Sequence, residues 1–289
     1  MSVRTYNPSV LVGNWSEDIC LEEDTLKDFL EKKERGELSI QKASKLSSSI
    51  LRKTELSITG DGYVHFGDCV MLVNPGAKDE TGVEWGQEPR AMSALAVNMD
   101  ESKMHEAQKF EGPCGVSATR SIQPTARSIF VIMPVDNSPP GAALTYGQHF
   151  LICTPPNEGG NLKLHSDIAT FTKSSKKTRQ QEVTLVDDVS YLTQWKVIAF
   201  NPLCRMEMEG LPVPANQKIV LLHCKSHQGL SVVSSASLRT PFGREYEVTA
   251  HTNLDSHRAE EDSNHWVFVT GTPSDPSSPE QPLPVGARQ

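Results

Sequence analysis

The sequence of 289 residues predicts a mainly β protein whose central part folds as a β-trefoil, a closed barrel made of three repeats of four short strands. Two segments share one pattern, in which three apolar strands are followed by a strand that begins with tryptophan, and a more divergent third copy precedes them. The strands alternate apolar and polar residues, which is typical of half-buried antiparallel strands. Because an antiparallel sheet removes its exposed edges by closing on itself, twelve such strands favour a barrel.

The second and third repeats match each other best. The second opens at Gly147 and closes on Trp195, whereas the third opens at Asn216 and closes on Trp266. The matching places of the two tryptophans predict core residues rather than ligand-stacking residues, because a pseudosymmetric core repeats its contents. The first repeat carries Phe130 in the place of tryptophan. We expect a trefoil over residues 55–271, with repeats at about 62–135, 144–200 and 211–271.

The segments on either side of the trefoil are predicted to contribute little to a core. Residues 1–54 should form an extended arm that ends at Trp15, then a helix that begins after an N-cap at Ser16, and a second helical stretch over 38–51. Both helices have thin apolar faces, so we expect them to lie on the trefoil or on a partner. Residues 272–289 are rich in proline and serine and are predicted to be disordered.

Composition narrows the class of protein. A formal net charge of −8 argues against a nucleic-acid-binding role, which requires clustered cationic side chains. The sequence lacks a signal peptide pattern and an apolar run long enough to span a membrane. Six scattered cysteines without a C-x-x-C pair are typical of reduced thiols. These features predict a cytoplasmic protein that binds neither nucleic acid nor membrane.

Motifs for catalysis, metals and cofactors are weak. His223 and His227 are four residues apart, but on a strand and its turn this spacing does not bring two ligands together. His251, Asp255 and His257 form a denser group, although no nucleophile, base and orienting group stand in a recognisable order. Phosphate-binding and nucleophile-elbow motifs are absent from the sequence. We therefore predict a protein that is not an enzyme and has no cofactor or metal, with a hydrolase at the histidine group as a distant alternative.

The densest positive run contains Lys173, Lys176, Lys177 and Arg179, and it is predicted to lie in the loop before the third strand of the second repeat. Such a run is suited to an acidic protein surface or a phosphate. Such a run is more often a solvated loop, and the sequence leaves both alternatives open.

Two resemblances extend this interpretation. The first is carried by Tyr146-Gly147-Gln148, Leu164-His165-Ser166 and Trp195-Lys196-Val197, which resemble the MIR repeat of inositol trisphosphate receptors and protein O-mannosyltransferases. MIR units are binding or regulatory modules with a trefoil fold. The resemblance therefore implies a MIR-like β-trefoil, and it supports an alternative function as a soluble module that binds a small phosphorylated or sugar ligand.

The second resemblance covers nearly the whole chain. The matching strings are Val12 to Asp18, Lys27 to Lys32, Asp61 to Asp68, Val213 to Asn216 and Ala250 to Arg258. Together and in this order they resemble the cilia- and flagella-associated protein 161 family. Residues 75–111 and those after 271 match poorly.

This second resemblance implies a structural microtubule inner protein of motile cilia and flagella. Such a protein is expected in the axoneme, in the lumen of the A-tubule of the doublet microtubule, where it contacts α- and β-tubulin and other inner proteins and stabilises the doublet. The run of Lys173, Lys176, Lys177 and Arg179 then becomes a candidate contact with acidic tubulin. Val12 and Trp15 become candidate residues of a partner-binding arm.

Overall fold

The computed structural model describes residues 14–76, 92–100, 109–156 and 160–271. Two helices come first, α1 (Asn14–Arg35) and α2 (Ser39–Ile50). Helix α1 begins earlier than the predicted cap at Ser16, so the backbone of Trp15 lies in the first helical turn and not at the end of an extended arm. Boundary differences of one or two residues are common, because the first turn of a helix has no intrahelical acceptors for its own amides.

The described residues then form twelve strands in three groups of four. They are β1 (Cys69–Asn74), β2 (Ser93–Asn98), β3 (Cys114–Thr119), β4 (Ile129–Pro134), β5 (His149–Cys153), β6 (Lys163–Ser166), β7 (Gln181–Val186), β8 (Trp195–Ala199), β9 (Lys218–His223), β10 (Leu230–Thr240), β11 (Gly243–Ala250) and β12 (His265–Val269). One short helix, α3 (Arg205–Met208), lies between β8 and β9.

Strand pairing closes a barrel. The first and fourth strands of each group pair antiparallel with each other and with the neighbouring group, in the order β1, β4, β5, β8, β9, β12 and back to β1. The second and third strands form hairpins, and β3, β7 and β11 pair with one another to make a triangular cap at one end of the barrel. A six-stranded barrel with three cap hairpins is the β-trefoil arrangement, so the predicted fold class is confirmed.

The opposite end of the barrel is closed by a ring of three backbone hydrogen bonds. The amide of Val64 donates to the carbonyl of Val213 at 3.0 Å, Val213 donates to Leu144 at 2.8 Å, and Leu144 donates to Val64 at 2.8 Å. All three side chains are fully buried. The ring therefore fills the end of the barrel at which the repeats are joined.

A left-handed residue precedes the first barrel strand of each repeat. Gly67, Gly147 and Asn216 have φ angles of 99°, 81° and 59°, a region that glycine and asparagine adopt most readily. Their amides donate to the fourth strand of their own repeat, at the carbonyls of Ile132, Val197 and Phe268. This shared backbone geometry explains why the sequence repeats align at these three residues.

The aromatic residues of the fourth strands fill the barrel. Phe130, Trp195 and Trp266 are fully buried, which confirms the predicted core role of the tryptophans. The indole N–H of Trp195 donates to the carbonyl of Leu164 at 2.9 Å, and that of Trp266 donates to Leu230 at 2.8 Å. Each tryptophan thus satisfies its polar atom on the second strand of its own repeat.

Candidate binding surfaces

The barrel interior is occupied by packed side chains. Phe150 and Phe268 meet edge to face across it at 6.3 Å, beside the buried Trp195 and Trp266. Because the hydrogen-bonded ring closes one end and the hairpin triangle closes the other, a ligand would have to bind on the outside of the barrel.

His223 is a buried structural residue. Its Nε2 lies 2.9 Å from the carbonyl of Leu192 and donates to it, so Nδ1 is left to accept from the hydroxyl of Ser226 at 2.9 Å. The ring packs on Trp195 with 5.1 Å between ring centroids, and burial lowers the pKa of the imidazole. Both ring nitrogens are used, whereas His227 is exposed, so the structure does not bring the two histidines together as ligands.

The group around Asp255 forms a turn. One carboxylate oxygen of Asp255 accepts the amides of His257 at 2.7 Å and Ala259 at 2.9 Å, and these backbone bonds lower the pKa of the carboxyl. Asp255 therefore orders its own loop and is not aligned with a histidine ring as an orienting group. Throughout the residues that the structure describes, no three His, Cys, Asp or Glu side chains are grouped as metal ligands.

The cationic run lies in the loop of residues 167–180 between β6 and β7, where the sequence placed it, and its four cationic side chains are exposed. The loop backbone is anchored by Glu247 on β11, whose side chain is buried. Its carboxylate accepts the amide of Lys177 at 2.8 Å and that of Thr178 at 2.9 Å. A buried carboxylate that binds two amides fixes this part of the loop in one shape.

The four cations are not equivalent. Lys173 Nζ lies 3.8 Å from a carboxylate oxygen of Asp167, and Lys176 Nζ lies 3.7 Å from one of Asp100. Lys177 and Arg179 have no carboxylate oxygen within 4.0 Å among the described residues. The uncompensated positive charge of the loop is therefore concentrated at Lys177 and Arg179.

Helix α1 presents an uncovered apolar face. Every side chain from residue 19 to residue 35 is exposed. Leu26, Phe29 and Leu30 are 61%, 49% and 45% exposed, and their spacing places them on one face of the helix. Helix α2 differs, because Ile50 at its end is buried in the barrel core. The chain therefore carries a helix of 22 residues whose apolar face is available to a partner.

The predicted partner-binding arm lies mostly outside the described residues. Val12 falls before residue 14, and the side chain of Trp15 is likewise not among those described. Their role in binding a partner stays a prediction.

Sequence reasoning missed a buried ion pair in the cap. The guanidinium of Arg127 donates to both carboxylate oxygens of Glu245 at 2.8 and 2.9 Å, and the hydroxyl of Ser117 donates to the same carboxylate at 2.6 Å. Burial alone would raise the pKa of Glu245, but these hydrogen bonds and the charge of Arg127 hold it below its usual value. The pair joins the first repeat to the third, and its partners are too far apart in sequence for any local pattern to reveal them.

Known proteins share the sequence of this chain over most of its length. Residues 42–271 match the model of the cilia- and flagella-associated protein 161-like domain. A protein of Danio rerio named cilia- and flagella-associated protein 161 is 44% identical over 95% of this chain and 91% of its own length. The chain belongs to this family. The relative of the same name in Mus musculus is 43% identical and covers 96% of this chain and 92% of its own length. As a member of the cilia- and flagella-associated protein 161 family, this protein is associated with cilia and flagella.

Solved structures of other families show more distant similarity. An SDF2-like protein from Arabidopsis thaliana has a TM-score of 0.49 and 14% identity, covering 74% of this chain and 99% of its own. The protein O-mannosyltransferase Pmt1-Pmt2 complex of S. cerevisiae has a TM-score of 0.46 and 13% identity, covering 78% of this chain and 27% of its own. The β-trefoil fold of this chain is shown by its own strand pairing. None of the helices in the described residues is long and apolar enough to span a membrane.

Proposed function

We propose that this protein is a structural microtubule inner protein of motile cilia and flagella. It binds the lumenal wall of the A-tubule of the axonemal doublet through α- and β-tubulin, contacts other inner proteins, and stabilises the doublet for beating. Family membership supports an axonemal role. The observation that carries the proposal is helix α1, whose exposed apolar face is attached to a barrel that is complete without it. A catalytic step is not part of this function.

The charges of the two exposed elements suit different partners. Lys177 and Arg179 present positive charge on the loop of residues 167–180, which fits the acidic surface of tubulin. The first half of α1 instead carries Asp18, Glu22, Glu23 and Asp24. Like charges repel, so this half of the helix fits a neighbouring inner protein with basic residues better than it fits tubulin.

Stepwise extraction of isolated axonemes tests the proposal. The chain is followed by antibody through detergent, then high salt, then a treatment that opens the doublet wall. We expect retention through detergent and salt and release only when the wall opens, because the lumen of the doublet shields the protein. A tubulin-bound protein of the outer surface serves as the control and should leave in high salt, because exposed charge contacts are screened.

Release of the chain into detergent would contradict the proposal and favour the MIR-like alternative. Calorimetric titration of the full chain with inositol trisphosphate and with mannose then tests that alternative by measuring whether either ligand binds. Saturable binding of either ligand would support a soluble ligand-binding module. A lattice protein is expected to show no such binding.

A further inference from the structure

The loop of residues 167–180 also carries an exposed aromatic residue. Phe171 is entirely exposed, and Ile168 three residues earlier is 53% exposed. A phenylalanine gains from leaving water, and aromatic side chains of this kind dominate the energetics of protein interfaces. Its full exposure on an ordered loop therefore indicates a surface that a partner covers.

Hydrogen bonds hold Phe171 at the tip of a tight turn. The amide of Thr170 donates to the carbonyl of Lys173 at 2.9 Å, and the amide of Lys173 donates to the hydroxyl of Thr170 at 3.1 Å. The ion pair between Lys173 and Asp167 spans the base of this turn. Because the backbone of the turn is already ordered, a partner that covers Phe171 has less conformational entropy to remove.

A second turn follows directly and presents the two uncompensated cations. It is closed by the amide of Ser175, which donates to the carbonyl of Gln180 at 2.9 Å, and by the bonds of Glu247 to the amides of Lys177 and Thr178. Arg179 has a φ of 59°, a left-handed conformation that glycine adopts without strain. The chain thus keeps a long cationic side chain at a backbone position that disfavours it.

We propose that Phe171, Lys177 and Arg179 form one docking element for an acidic protein surface that has an apolar pocket beside its carboxylates. Phe171 enters the pocket, and the two cations face the carboxylates. The inference rests on the proposed function, under which that surface belongs to tubulin. Two unpaired cations on a chain of net charge −8 are too few to hold a nucleic acid or an anionic membrane, so a protein surface is the fitting partner.

Binding of the purified full chain to immobilised αβ-tubulin tests the element at low and physiological salt, about 0.05 and 0.15 M. Phe171→Ser should weaken binding about tenfold at both salt concentrations, because an apolar anchor is insensitive to screening. The double variant Lys177→Glu and Arg179→Glu should weaken binding most at low salt and so reduce its salt dependence.

Matched controls separate the element from general surface effects. Leu203 is 89% exposed in a short 3-10 helix, Pro202–Cys204, outside this loop, so Leu203→Ser should bind as the wild type does. Lys225 and Arg258 are exposed cations elsewhere, and Arg258 has a φ of 61° like that of Arg179. The double variant Lys225→Glu and Arg258→Glu should also leave binding unchanged.

A glycine substitution distinguishes docking from structure. Arg179→Gly and Arg258→Gly should both raise the melting temperature, because glycine relieves the left-handed strain. Only Arg179→Gly should weaken tubulin binding. A residue that merely shapes the loop would change the melting temperature without changing the affinity.

Two outcomes overturn the inference. In the first, the wild-type chain does not bind tubulin. In the second, Phe171→Ser and the double variant of Lys177 and Arg179 bind tubulin as tightly as their control variants do. If axoneme extraction still releases the chain only when the wall opens, the proposed function stands without this element. If the chain leaves in detergent, the proposed function itself has failed.

Discussion

The barrel and helix α1 use the same kinds of side chain in opposite ways. Trp195 and Trp266 are fully buried in the barrel, and each indole N–H has a backbone acceptor. The side chains of Leu26 and Phe29 on α1 are instead 61% and 49% exposed. Since buried apolar surface is the main source of stability, the barrel folds on its own contacts, whereas the helix gains its tertiary stability only from a partner. Substitutions in the two regions should therefore affect different measurements.

The largest loss of stability is expected from Trp195→Ala. Removing a fully buried tryptophan leaves a cavity at the centre of the barrel, which should lower the free energy of unfolding by about 4 kcal/mol. Urea denaturation followed by far-UV circular dichroism measures this change. Trp195→Phe should cost much less, because Phe130 occupies the equivalent place in the first repeat, but it leaves the carbonyl of Leu164 without its indole donor.

The next largest effect is expected at the ion pair of the cap. Arg127→Met leaves the carboxylate of Glu245 buried without its cation, which should lower the free energy of unfolding by about 3 kcal/mol. The double variant Arg127→Met and Glu245→Leu removes both charges and should recover much of this loss. A double-mutant cycle by urea denaturation gives the coupling energy. Additive effects of the two substitutions would mean that the pair does not act as a unit.

The repeats could be predicted from the sequence because their signals are local. Alternation marks the strands, and glycine or asparagine marks the left-handed residues that open them. Alternation does not reveal the burial of Glu245 and Glu247, because period two shows that residues share a face and not whether that face is covered. Strand β11 pairs with β3 and β7 in the cap, and the side chains of both glutamates are buried there. Such long-range pairing leaves no mark in the surrounding sequence.

The sequence shows the local features of the candidate site but not the contacts that the fold creates around it. Counting charges located the loop of residues 167–180, but the compensation of Lys173 and Lys176 depends on where the fold places Asp167 and Asp100. The sequence does not single out Phe171, because a single aromatic residue among polar ones has no period. Its exposure became evident only when the turn around it was known.

A smaller effect, which depends on pH, is expected at His223. Burial lowers the pKa of its imidazole in the folded protein, so the unfolded chain binds a proton at higher pH than the folded chain does. Stability should therefore be lost as the pH falls below roughly 6.5, the value for an exposed histidine. Melting temperatures measured across this range test the slope.

Variants assign that slope to one residue. His223→Gln should flatten the dependence of the melting temperature on pH, whereas His227→Gln, at an exposed position, should leave it as in the wild type. Burial also lowers the pKa of His165 and His265, so part of the slope should remain in His223→Gln. An unchanged slope in that variant would show that the folded and unfolded chains bind the proton of His223 equally well, and burial would then not govern this imidazole.

The smallest change in stability is expected on α1, where the functional change should be large. Glutamine is a good helix former, so replacing Leu26 and Phe29 by glutamine preserves the helix and removes only exposed apolar surface. The free energy of unfolding should therefore change by less than about 1 kcal/mol. Retention in the axoneme should nevertheless fall, because the partner loses its apolar contact.

The control replaces Asp24 and Lys27 by glutamine. These two residues form a weak exposed ion pair, 4.0 Å apart, on another side of the helix. Because this control keeps the net charge unchanged, normal retention there and loss in the Leu26 and Phe29 variant would assign the contact to the apolar face. A large loss of stability would instead mean that α1 packs on its own barrel, and the contrast between the two regions would not hold.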